Sequence, residues 1–94
     1  KPPRKREQAM RVKIMTPERT VVDCEAAQVA VPGMLSPFAM RKGHQPIISS
    51  LTKGFVKLTT PDGKERLFSI DGIGMVEQHD DIVTILAGTA IEEK

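Results

Sequence analysis

Cys24, His44 and His79 are the side chains of this chain best suited to ligate a metal or to serve nucleophilic catalysis. Positions 24, 44 and 79 match no local zinc-ligand motif, so the three could share an ion only if folding happened to bring them together. A Cys–His nucleophilic pair meets the same objection, and nothing beside Cys24 would lower its pKa. Cys24 is expected to behave as a small buried or half-buried hydrophobe. Asp80-Asp81 reads as turn chemistry before metal chemistry, because Asp tolerates the left-handed backbone region. Pro61-Asp62-Gly63-Lys64 lacks the glycines of a phosphate-binding loop and leads into a strand, not a helix. These residues predict no catalytic site, no metal and no cofactor.

The other chemistry on offer is electrostatic. Lys1, Arg4, Lys5 and Arg6 crowd the first ten residues against Glu7 alone, while the whole chain of 94 residues carries 14 basic and 12 acidic side chains. Without that segment the body has 10 basic and 11 acidic residues, a net charge of −1. Such a leader could bind phosphates in a salt-sensitive way that ignores sequence. The body has three Phe and no Trp or Tyr, too few for a platform on which bases stack. No nucleic-acid function is expected beyond the tail. Met10 looks like an initiator before a first strand. Residues 1–9 then read as a solvated basic leader, an upstream extension, a processing remnant or an artefact of expression.

The elements that must hold these residues are short and β-rich. One cysteine allows no internal disulfide, and no apolar run reaches the about 20 residues of a membrane helix. Val12 and Ile14 alternate with polar neighbours up to Thr16-Pro17, as in a half-buried strand. Residues 20–24, 28–31 and 47–51 are further β runs. The stretches 55–60 and 65–70 flank Pro61-Asp62-Gly63-Lys64, and 75–78 and 82–87 flank His79-Asp80-Asp81, so two hairpins are predicted. Gly72 and Gly74 around Ile73 predict a bulge or a close backbone approach. Residues 88–94 are polar and read as the start of a helix or a frayed end. The fold class is all-β, an antiparallel β-sandwich of about eight to ten short strands in one domain.

Residues 31–51 stand apart from this pattern. A Pro-Gly turn leads through Leu35, Phe38 and Met40 to Arg41, Lys42 and the Gly43-His44-Gln45-Pro46 corner. Large apolar side chains beside a cationic rim have the composition of a protein contact. The alternative is that Phe38 and Met40 fold back into the core. His44 can be a satisfied corner residue or an interface hydrogen-bonder.

At these residues the chain resembles the N-terminal β-sandwich domain of the ε subunit of F-type ATP synthases, called δ in mitochondria. Val12-Lys-Ile-Met-Thr-Pro-Glu is similar to the family's opening strand and turn. Val31-Pro-Gly, Phe38 and Gly43-His-Gln-Pro-Ile-Ile are similar to its Leu-Pro-Gly and Pro-Gly-His-Ala-Pro segments, with the spacing from Pro32 to Pro46 kept. Leu51-Thr-Lys-Gly-Phe-Val and Val83-Thr-Ile-Leu-Ala-Gly-Thr-Ala match later strands. Ser36, Pro37 and Met40–Lys42 depart from the pattern. The resemblance implies a sandwich at residues 10–91, with 92–94 where longer members begin a two-helix hairpin. A naturally short subunit and a truncated one both stay open.

It further implies a non-catalytic rotor part of the central stalk, peripheral to the cytoplasmic face of a bacterial inner membrane or the matrix face of an organelle membrane. Its partners would be the γ subunit and the polar loops of the c-ring in a hetero-oligomeric, membrane-bound complex, with a monomer in isolation. Ser36, Pro37, Phe38, Met40, Arg41 and Lys42 would face the c-ring, with the two cations pairing acidic groups there. His44 and Pro46 would face γ. The rival readings are a free-standing β-domain adaptor and a basic-tailed nucleic-acid binder.

Overall fold

The computed structural model describes residues 9–93; residues 1–8 of the expected leader at 1–9, and Lys94, lie outside the described residues. Alternating apolar residues build ten strands: β1 (Met10–Met15), β2 (Thr20–Ala26), β3 (Gln28–Val31), β4 (Phe38–Arg41), β5 (Ile47–Leu51), β6 (Gly54–Thr59), β7 (Glu65–Asp71), β8 (Gly74–His79), β9 (Ile82–Leu86) and β10 (Thr89–Glu93). They form two five-stranded sheets, β2-β1-β9-β8-β5 and β10-β7-β6-β3-β4. Because successive side chains of a strand point to opposite faces, each sheet turns one row inward. Val12 and Ile14 of β1, Val56 and Leu58 of β6, Phe68 of β7, Val76 of β8 and Val83 and Ile85 of β9 fill the space between the sheets. No helix among the described residues is long and apolar enough to cross a membrane.

Both predicted hairpins form. At β6–β7, the Thr60 carbonyl accepts from Gly63 N–H (2.9 Å), and Thr60 N–H donates to the Lys64 carbonyl (2.8 Å). At β8–β9, His79 pairs with Ile82, leaving Asp80 and Asp81 as a two-residue loop with φ of 54° and 60°. Positive φ at both central positions is the geometry whose twist matches that of paired strands. The two glycines around Ile73 mark a close approach, since a Cβ on Gly72 would lie 3.1 Å from Gly88 Cα.

The expected antiparallel β-sandwich is the observed architecture, with one parallel pair in it: β1 runs alongside β9, Val12 opposite Val83 and Ile14 opposite Ile85. One expectation needs correction. The polar end is neither helix nor frayed, because Thr89–Glu93 pairs with β7 from Asp71 to Leu67. This edge strand buries only Ala90, so its sequence reads as polar. The sandwich therefore runs past Ile91 to Glu93.

Candidate functional site

β4 is an edge strand of four residues, so residue alternation decides what it can offer. Phe38 and Met40 point inward and Ala39 and Arg41 outward. Met40 is 0% exposed and belongs to the core, which takes its side chain out of the expected contact set. Phe38 is half-buried and packs against the core. The fold-back reading therefore holds for Met40 fully and for Phe38 in part. Arg41 extends over the outer face, where its Nε donates to Gln28 Oε1 (2.7 Å) on β3.

At the start of β4 the chain makes a hook between the sheets. After β3, Gly33 bridges to Leu51, Met34 N–H donates to the Ser50 carbonyl (2.9 Å), and Thr52 N–H donates to the Pro32 carbonyl (2.9 Å). The chain thus borrows the edge of β5 in one sheet before returning to β4 in the other. Gly33 is required by space: a Cβ there would lie 2.4 Å from the Ser36 carbonyl oxygen and 2.8 Å from the Phe38 ring. Phe38 therefore acts as a pedestal under the hook. The hook displays Met34 (64% exposed), Leu35 (100%), Ser36 and Pro37 to solvent. Ile73, 95% exposed, crowns a second turn at the same end of the sandwich.

The far end of β4 is a separate structure. Gly43, at φ 84°, lets the chain reverse so that His44 N–H donates to the Arg41 carbonyl (3.0 Å). Gly43 N–H donates to Asp81 Oδ1 (2.8 Å) in the β8–β9 loop. His44 Nδ1–H donates to the Gln45 carbonyl (2.7 Å), which satisfies one ring nitrogen locally and leaves the ring exposed. Beneath the corner lies Gln78, 1% exposed; turning its amide so that nitrogen and not oxygen faces the corner lets it donate to the carbonyls of Gln45 (2.8 Å) and His44 (3.2 Å). A buried amide is stable only with its polar atoms paired, so Gln78 and the corner specify each other. Lys42, Gly43, His44, Gln45 and Pro46 are all exposed.

The expected ring-facing residues are thus divided. Ser36 and Pro37 lie in the hook, while Arg41 and Lys42 lie at the corner beside His44 and Pro46. Four residue steps from Pro37 to Arg41 along β4 separate the two groups by roughly 13 Å at about 3.3 Å per residue. Gly33, Gln78 and Asp81 were not expected as site residues. Gln78 had a legible signal, since it shares the inward face of β8 with Val76.

The remaining candidates stay apart. Among the described residues, no group of three or more His, Cys, Asp and Glu side chains is arranged to hold a metal. His79 Nδ1 lies 2.9 Å from the Asp80 carboxylate. Cys24 is half-buried on β2, and burial pushes its thiol pKa up. In the other sheet Arg66 of β7 makes a two-point pair with Glu92 of β10 (2.8 Å each) and stacks over Phe68. On the surface Arg11 lies 2.6 Å from Asp23. The Asp62 carboxyl accepts from the Thr60 hydroxyl, which lowers its pKa.

Comparison with known proteins brings these surfaces into one frame. The family described as ATP synthase, Delta/Epsilon chain, beta-sandwich domain matches residues 9–93. The ATP synthase epsilon chain of Rhodopirellula baltica is 40% identical over 83 residues, covering 88% of this chain and 63% of that protein. The epsilon chain of Stenotrophomonas maltophilia is 37% identical over 82 residues, covering 87% of this chain and 58% of its own length. The chain thus spans roughly three-fifths of these relatives. A chain in the Euglena gracilis mitochondrial ATP synthase structure (OSCP/F1/c-ring) superposes with a TM-score of 0.83 at 15% identity, over 89% of this chain and 53% of that one. One in the Tetrahymena thermophila mitochondrial ATP synthase structure (central stalk/c-ring) gives 0.73 at 14% identity, over 87% and 65%. At these identities the two structures establish a shared fold.

Proposed function

This chain belongs to the ATP synthase delta/epsilon β-sandwich family, and on that premise we propose that it is a non-catalytic part of the central stalk, joining the γ subunit to the c-ring. In that role it transmits rotation and so couples ion flow to ATP synthesis. It sits peripherally, on the cytoplasmic face of a bacterial inner membrane or the matrix face of an organelle membrane. The observation that carries the reading is the two-ended construction of β4. A braced hook shows uncharged side chains at one end, and a corner fastened by Gln78 and Asp81 stands at the other. A part that carries torque between two partners needs two distinct and stiff surfaces.

Within this reading the hook, with Ser36, Pro37 and its Phe38 pedestal, faces the c-ring. The corner, with His44 and Pro46, faces γ. Arg41 and Lys42 border the corner, so ion pairing with the ring is not assigned to them. The joint depends on shape and on many modest contacts. The test is association of the full chain with purified γ and a detergent-solubilised c-ring carrying γ. Binding to both at micromolar concentration is expected. Binding to neither would refute the stalk assignment in favour of a free-standing adaptor.

A further inference from the structure

Aspartate followed by glycine occurs twice, at Asp62-Gly63 and Asp71-Gly72. Glycine has no Cβ to shield its backbone nitrogen, so in such a pair that nitrogen can attack the carboxyl carbon of the aspartate before it. The two pairs are held in opposite ways. In the β6–β7 turn the Asp62 carboxylate accepts from the Thr60 hydroxyl and from Lys64 N–H (3.5 Å), and Gly63 N–H donates to the Thr60 carbonyl (2.9 Å). Both reacting groups are occupied elsewhere, and the Thr60 bond lowers the Asp62 pKa, which favours the unreactive carboxylate. In the β7–β8 turn Gly72 N–H donates to Asp71 Oδ1 (2.7 Å), so the nitrogen already faces the carboxyl it would attack. Asp71 Oδ2 meets the Lys53 ammonium at 3.9 Å, and the Asp71 side chain is 58% exposed and open to water. An exposed pair at that distance does little to fix the carboxyl in place.

We infer that Asp71-Gly72 is a site of spontaneous modification, at which the folded chain isomerises to isoaspartate as it ages. The Gly72 nitrogen bonds to Cγ of the neutral Asp71 carboxyl. The nitrogen gives up its proton and the carboxyl its hydroxyl, which leave together as water, and a succinimide ring closes. A water molecule then adds to one of the two ring carbonyls. Breaking the bond from nitrogen to Cγ restores aspartate. Breaking the bond from nitrogen to the α-carbonyl leaves a main chain that runs through Cγ, with the α-carboxylate as a short branch. Nothing is oxidised or reduced, and the mass is unchanged. Reacting groups that rest against each other need little further ordering to react, which sets this pair above Asp62-Gly63. The added main-chain carbon falls where Gly72 packs so closely on Gly88 that a Cβ would lie 3.1 Å from its Cα, and where Asp71 pairs with Thr89 of β10. The aged turn must therefore rearrange.

The experiment incubates the full chain and D71E for weeks at neutral pH and physiological temperature, each folded and in urea, and then digests them with trypsin. Cleavage after Lys57, Lys64 and Arg66 places Asp62 in peptide 58–64 and Asp71 in peptide 67–94. Electron-transfer fragmentation locates isoaspartate within each peptide, and methyl transfer by an isoaspartyl methyltransferase counts it. In the folded chain isoaspartate should build up at Asp71 at least about threefold faster than at Asp62, the effect on a barrier of one hydrogen bond that must first break. In urea both pairs are released from the fold and their rates should converge. D71E needs a larger ring to react, so it should lose the signal at position 71 while melting as the parent does by far-UV circular dichroism. An equal or faster rate at Asp62 in the folded chain would overturn the inference. So would isoaspartate in peptide 67–94 that lies at Asp80 or Asp81 instead, or a folded chain that forms none while the urea sample does.

Discussion

Replacing Gln78 by Leu removes two donors from under the corner while keeping a side chain of similar size. The amide gives its hydrogens to the carbonyls of Gln45 (2.8 Å) and His44 (3.2 Å) from a position 1% exposed. Each such bond contributes about 0.5–1.5 kcal/mol net. Gln78→Leu should therefore cost about 1–3 kcal/mol in total, against a stability of about 5–14 kcal/mol for a domain of this length. At about 4–8 °C per kcal/mol, the melting temperature should fall by about 4–24 °C. Gln78→Ala adds a cavity and should cost more.

Gln78→Glu separates hydrogen bonding from packing. Protonated, the acid still donates one bond. Ionised, it donates none and points charge at two carbonyls, so its folded pKa rises above the unfolded value of about 4.3. A raised folded pKa gives stability that is present at low pH and lost as pH climbs through the folded pKa. The variant should therefore approach the parent near pH 4 and fall behind it at pH 7. The chain has no Trp or Tyr, so urea melts are followed by far-UV circular dichroism, with amide exchange of Gly43 and His44 reporting the corner itself. A Gln78→Leu stability within about 0.5 kcal/mol of the parent, or a pH-independent gap for Gln78→Glu, would refute the corner's dependence on this amide.

Gly33→Ala should destabilise the domain by about 1–3 kcal/mol, the usual cost of forcing volume into a packed site, because the added methyl meets backbone oxygen at 2.4 Å. Matched urea melts test this, and unchanged stability would show that the hook shifts freely. Cys24 should react with iodoacetamide more slowly than in the urea-unfolded chain at the same pH, read by mass spectrometry. Burial raises its pKa and lowers its thiolate fraction. Equal rates would mean that the β2 edge opens readily.

What the sequence disclosed follows from which physics is local. Both hairpins were legible because Pro61-Asp62-Gly63 and Asp80-Asp81 encode their turns within two or three residues. β10 was hidden because an edge strand needs little apolar surface, and Ala90 alone gives weak alternation. The parallel β1–β9 pair was also hidden, since alternation along a strand is the same whichever way its partner runs. At the candidate site, the irregular stretch from the hook to the corner stood out, but not its division. Phe38 and Met40 are two apart and so share a face, a fact that outweighs the exposed look of a Pro- and Gly-rich loop. Gln78 carries its explanation in a contact with Gln45, far away in sequence.

The parallel pairing of β1 with β9 also sets a timetable for making the protein. β3, β4, β6 and β7 pair among themselves from residues 28–71, so most of one sheet can assemble while later residues are still being synthesised. The other sheet cannot close until β9 arrives to sit between β1 and β8. Until then Val12 and Ile14 have only the β2 hairpin to shelter them. Pairings across such long stretches of chain fold slowly, in milliseconds to seconds. β1, made before the other nine strands of the sandwich, is thus among the last to be enclosed.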